Sequence, residues 1–128
     1  MNILLDTHAL LWWAQEPGNL PARAHAAISS PHNSVYTSIV SYWEISIKVG
    51  LQKLSLVGDI VSLQTGAEAD EIVTAPISIQ AVNFLLQLPH HHRDPFDRLI
   101  AATALTTGGT LVSADPLFDA YGVTRLWS

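Results

Sequence analysis

Short runs of aliphatic and β-branched residues alternate with longer amphipathic segments along the whole chain, and this alternation restricts the fold more than any other feature. Residues 3–5 (ILL), 34–38 (SVYTS), 72–77, 110–113 (TLVS) and 123–127 read as strands. Between them the spacing predicts helices over 9–14, 20–28, 39–49, 60–71 and 79–88, and a last one within HRDPFDRLIAATAL at 92–105. The helix over 39–49 gathers Ile39, Val40, Trp43 and Ile47 on one side. Pro17-Gly18, Pro31, Gly50, Pro89 and Gly108-Gly109 punctuate the pattern. Strands separated by helices of roughly ten residues cannot pair as hairpins; they form βαβ units and a parallel sheet covered on both faces. The expectation is one three-layer α/β domain over 1–128, with a central parallel sheet of four to five strands.

Length and composition permit such a core. The chain has 128 residues, of which 48% are hydrophobic and only 13% charged, a balance that folds rather than stays disordered. With no cysteine there is neither a disulfide framework nor a thiolate metal site. The apolar run at the N-terminus lacks a basic stretch and is interrupted by Asp6, so it reads as neither a secretory signal nor a membrane span. A cytoplasmic protein is expected. The net charge of −5 and six Lys and Arg in total speak against capture of nucleic acid by a broad basic face. A site that concentrates carboxylates around a cation, however, is acidic in composition while the ion inverts the local sign.

In a doubly wound sheet the ligand crevice lies beyond the carboxyl ends of the strands, where strand order reverses. Asp6 follows the first strand directly, and Asp115 follows 110–113 after one alanine. Glu44 lies about a turn and a half into the helix after SVYTS, and Asp97 in the first turn of the helix in HRDPFDRLIAATAL. Each has a local explanation. Asp6 and Asp115 can each cap a helical turn just after it, Asp94 can cap with Pro95 at the first helical position, and Asp97 suits the positive helix end. Glu44 can close a capping box with Ser41 or pair with Lys48. Together these explanations fit less well. If Ser38 caps its helix, Glu44 is too deep for a capping box, and Asp97 is redundant beside Asp94. Four carboxylates meeting without cations would repel, and a hard divalent ion with oxygen ligands removes that difficulty. Phosphodiester hydrolysis uses such a cluster.

LLDTHALLWW, TSIVSYWEISIKVGLQKLSL, HRDPFDRLIAATAL and LVSADPLF, in this order and spacing, resemble PIN-domain ribonucleases, and among them the VapC-like toxins of bacterial toxin–antitoxin pairs. The resemblance implies a PIN-like fold in which Asp6, Glu44, Asp97 and Asp115 form the acidic site of a Mg²⁺- or Mn²⁺-dependent endoribonuclease acting on RNA. It also implies a homodimer and a partner antitoxin whose tail blocks the site. Ser113 matches a small hydroxyl residue two before the last aspartate, and Thr7 and Ser38 become candidate contacts to the ligands or to a substrate phosphate. Among the few cations, Arg93, Arg98 and Lys48 lie near these acids and are the candidate phosphate contacts, with Arg98 and Lys48 alternatively offsetting the acids.

Two other classes of α/β enzyme fit the chain poorly. A haloacid-dehalogenase-type phosphatase wants a second aspartate where His8 stands. A phospho-accepting receiver domain wants acidic residues where Leu4 and Leu5 stand, and a lysine after Val112 that is missing. A silent binding module of the same fold and a DNA nuclease stay open. His90-His91-His92 are poorly spaced for one metal and read as a solvated loop, with His92 near the entrance. Trp12, Trp13, Trp43 and Trp127 read as packing or interface residues rather than base-stacking platforms, and the segments 10–13 and 51–56 as candidate dimer or antitoxin contacts.

Overall fold

A computed structural model of residues 1–128 contains β1 (Asn2–Leu5), α1 (Thr7–Gln15), α2 (Ala22–Ser29), β2 (Ser34–Ser38), α3 (Ile39–Gly50), α4 (Ile60–Ala69), β3 (Ile72–Ala75), α5 (Ile79–Phe84), α6 (Pro95–Thr107), β4 (Thr110–Val112) and β5 (Arg125–Leu126). Short 3-10 turns occupy Pro17–Asn19 and Pro116–Tyr121. The five strands form one sheet of order β3-β2-β1-β4-β5, and every pairing is parallel. Strand order reverses between β1 and β4, where Leu5 lies beside Val112.

Side chains of β1 alternate between the two faces of the sheet, as a strand must. Ile3 and Leu5 enter one apolar layer with Leu10, Ala24, Ile45, Leu63 and Ile72, whereas Leu4 enters the other with Ile100, Ala101, Ala104, Leu111 and Phe118. Alanines at 101, 102 and 104 bring α6 close to the sheet. The helix stops at Gly108, whose left-handed φ of 68° suits glycine. Gly109 is required for a different reason: a Cβ there would lie 2.6 Å from Tyr36 Oη.

Two strands are shorter than read, β3 ending at Ala75 and β5 covering only Arg125–Leu126, and α5, α3 and α1 also differ. α5 ends at Phe84 rather than 88: the chain goes on through 85–88 in tighter turns with i→i+3 hydrogen bonds, and the carbonyls of Leu85, Leu88 and Pro89 accept from the Arg98 guanidinium. Of the four residues gathered on one side of α3, only Val40 is buried. Ile39, Trp43 and Ile47 are exposed, and the inward face is Val40, Ser41, Tyr42, Glu44 and Ile45. Polar Ser41 and Glu44 turn inward because they find partners there. Finally, α1 begins at Thr7, directly after its cap Asp6 and two residues before the 9–14 read from the sequence. Trp12 and Trp127 pack together at 5.6 Å, Trp13 donates its Nε1–H to Asp70 at 3.0 Å, and exposed Trp43 meets Phe96 edge-on at 5.1 Å. No helix is long and apolar enough to cross a membrane.

Candidate active site

Asp6 is the first residue beyond β1, and its N–H donates to the Val112 carbonyl at 3.2 Å, tying it to the neighbouring strand at the reversal. Its carboxylate caps α1 by accepting the Ala9 N–H at 2.8 Å. The cap leaves Asp6 buried over the switch point. Burial raises its pKa above the ordinary value, with Glu44 adding repulsion; hydrogen bonds from Ser113 and Ala9 and the nearby His8 work the other way.

Glu44 reaches the same place from α3. Ser38 caps that helix by accepting the Val40 N–H at 3.1 Å, which puts Glu44 six residues in and outside any capping box. Thr7 Oγ1 donates to Glu44 Oε1 at 2.6 Å and lies 3.1 Å from Ser41 Oγ. Lys48 ion-pairs with the other Glu44 oxygen and stands 3.9 Å from Asp94. Burial opposes the charge on Lys48, but Glu44, Asp94 and Asp97 outweigh it and raise its pKa.

Asp97 comes from the first turn of α6, whose cap is Asp94, accepting the Phe96 N–H at 2.8 Å. Burial first, then Asp94, Glu44 and Asp6, push the Asp97 pKa up to about 7, with His92 partly opposing them. Three carboxylates from β1, α3 and α6 thus share one electrostatic neighbourhood. Asp115 is engaged differently. It caps the 3-10 turn through the Leu117 N–H at 2.9 Å and faces His92 Nε2 at 2.8 Å. Burial works to raise the Asp115 pKa, but His92, the Leu117 N–H and Arg125 prevail and lower it.

The donor set is oxygen throughout, and its crowded carboxylates gain from a hard divalent cation. As they stand, no three of these side chains converge closely enough to hold one ion. Asp6 accepts from Ala9, Glu44 is engaged by Lys48 and Thr7, and Asp115 is held by His92. Drawing them together is what a bound cation would do.

The other candidate residues divide. Thr7 and Ser113 lie within the site, Ser113 with Oγ accepting the Asp115 N–H at 3.0 Å. The Ser38 hydroxyl is buried and committed to its cap. Arg98 departs from its expected role as a phosphate contact. Its guanidinium is buried and donates to Pro89, Leu88 and Leu85 carbonyls at 2.8, 3.3 and 3.4 Å, so it holds the loop before α6. Arg93 is exposed in that loop, and Lys48 half-buried beside Glu44. The residue the sequence reading undervalued is His92. Its signal was position, two residues before the α6 cap.

A three-layer domain with a parallel 3-2-1-4-5 sheet and acidic side chains just past its switch point defines a class of doubly wound α/β proteins. The chain belongs to the PIN domain family, which matches residues 3–123. Ribonuclease VapC22 of Mycobacterium tuberculosis is 33% identical over 117 residues, covering 89% of this chain and 87% of its own length. Among solved structures, the VapBC2 complex of Rickettsia felis bound to a promoter DNA fragment contains a chain similar over 100% of both lengths, with a TM-score of 0.71 and 15% identity. VapBC-5 of Mycobacterium tuberculosis, a toxin–antitoxin system, aligns over 98% of this chain and 95% of its own at a TM-score of 0.58 and 20% identity. These structures establish the shared fold.

Proposed function

We propose that this chain is a divalent-metal-dependent endoribonuclease and the toxin of a toxin–antitoxin pair. The observation that carries the reading is the placing of buried Asp6 and Glu44 with Asp97 past the β1–β4 switch point, where burial first, then Asp94, Glu44 and Asp6, push Asp97 up to about 7. A bound Mg²⁺ or Mn²⁺ would lower the pKa of a water and neutralise charge on the phosphodiester. Asp6, Asp97, Asp115 and Glu44 would hold it, with Ser113 and Thr7 orienting their carboxylates. Lys48 has a second use: with Glu44 drawn to the ion, its ammonium is freed to face a substrate phosphate, as is Arg93 at the loop.

Ribonuclease VapC22 supports RNA as the substrate, and the VapBC complexes support an antitoxin partner. A homodimer is part of the same reading, with the exposed Ile39, Trp43 and Ile47 of α3 as an apolar face that a second subunit would cover. The absence of cysteine suits a cytoplasmic protein.

The decisive assay is cleavage of a mixed structured RNA pool with Mg²⁺ or Mn²⁺, with chelator, and with Asp6→Asn beside the parent. The expected result is cleavage that requires metal and is lost in the variant. Cleavage surviving both the chelator and Asp6→Asn would overturn the reading.

A further inference from the structure

His90, His91 and His92 run together ahead of α6, yet only His92 is buried. Its ring lies within 10° of parallel to Tyr121, with centroids 5.5 Å apart, and leans on Phe118 at 4.6 Å. Tyr121 Oη is 2.8 Å from the His92 backbone nitrogen and 2.8 Å from Nδ1. The backbone N–H can only donate, so Oη accepts there, and toward a neutral ring its own proton is available to donate to Nδ1. On the far side of the ring, Nε2 stands 2.8 Å from Asp115 Oδ2. A carboxylate facing a ring nitrogen needs a proton between them, and that proton sits on Nε2. Of the two neutral tautomers, only the one with the proton on Nε2 satisfies both contacts. Because Asp115 Oδ1 accepts the Leu117 N–H, the carboxylate is held at both oxygens while each keeps a further lone pair.

The segment that presents His92 is fixed in turn. Arg98, buried in the first turns of α6, gathers the carbonyls of Leu85, Leu88 and Pro89 and so anchors the loop leading to His92. A chain of contacts therefore runs from α6 through this loop to the acidic residue beyond β4.

We propose that His92, in its Nε2–H tautomer set by Tyr121, is a positioning residue that fixes the Asp115 carboxylate with which the chain would hold a cation. The proposal rests on the reading of Asp115 as part of a metal site. Carboxylates that bind metal are commonly oriented by such a hydrogen bond, and losing it costs about 10- to 100-fold in affinity or activity.

Two measurements on the full chain test this. The first is the ¹⁵N spectrum of the His92 ring without metal, which should show the proton on Nε2. The second is Mn²⁺ binding by calorimetry to the parent, His92→Phe, His92→Gln, Tyr121→Phe and Asp6→Asn, each checked for folding by circular dichroism. Phenylalanine keeps the ring packing but removes the donor, and should weaken Mn²⁺ by about tenfold or more. Glutamine returns an N–H to the Nε2 position and should recover most of that loss. A proton on Nδ1, or Mn²⁺ binding to folded His92→Phe at the parent's strength while Asp6→Asn loses it, would overturn the positioning role and leave the metal site standing. If His92→Phe fails to fold, His92→Gln with weakened binding, or Tyr121→Phe with unchanged binding and ring tautomer, counts against the proposal in the same way. Mn²⁺ binding unaffected by Asp6→Asn would overturn the metal-site reading and this proposal with it.

Discussion

Asp94 and Asp97 stand three residues apart at the start of α6, but only Asp94 accepts a backbone N–H; Asp97 faces Asp94, Glu44 and Asp6. Asp94→Ala should therefore cost about 1 kcal/mol as a lost cap, read by urea denaturation, with cleavage largely retained. Asp97→Asn should behave in the opposite way. Between the ordinary carboxylate value of 3.8 and about 7, the folded metal-free chain keeps a proton on Asp97 that the unfolded chain has lost. Stability from this group is thus fully present below that window, falls as pH rises through it, and is gone above. At pH 7.5 without metal, Asp97→Asn should stabilise the chain by about 1–2 kcal/mol, less than the full shift implies because Asp97 is partly open to screening solvent. The gain should vanish near pH 4, while cleavage is abolished at every pH. A variant as stable as the parent at pH 7.5 would contradict the crowded-carboxylate account.

At the scale of elements, the loop between α5 and α6 depends on one side chain. Arg98 donates to the carbonyls of Leu85, Leu88 and Pro89, the last two lying past the final turn that follows α5. Arg98→Met keeps the aliphatic packing but removes the donor from the Leu88 and Pro89 carbonyls, and should cost about 2–3 kcal/mol by denaturant unfolding. Because the loop carries His92, the variant should also cleave more slowly at saturating substrate. Unchanged stability would mean that the carbonyls find water and that Arg98 is dispensable there. HRDPFDRLIAATAL announces the α6 cap, but nothing local in it shows that Arg98 points back to Leu85. The inward turn of Glu44 was equally hidden, since its partner Thr7 lies 37 residues earlier.

For the whole molecule, the proposed function makes stability depend on a cation held at the acidic switch point. Binding to the folded chain alone adds about 2.7 kcal/mol at a hundred-fold excess over Kd. Mn²⁺ should therefore raise Tm by several degrees for a chain of 128 residues, with chelator restoring the lower value and Asp6→Asn showing no response. Equal shifts in parent and variant would place the ion elsewhere.

The alternation of strands and helices, the caps at Asp6, Ser38, Asp94 and Asp115, and the stop at Gly108 were all legible from sequence, because each rests on neighbours within a few residues. Parallel pairing was legible as well, since helical connections leave no hairpins. Tertiary structure alone decided which polar side chains meet. Thr7 with Glu44, Arg98 with the loop carbonyls and His92 with Asp115 join residues from separate elements, the last pair 23 positions apart. Hydrogen bonds of that kind depend on how the layers pack on the sheet, and one turn of any helix would break them.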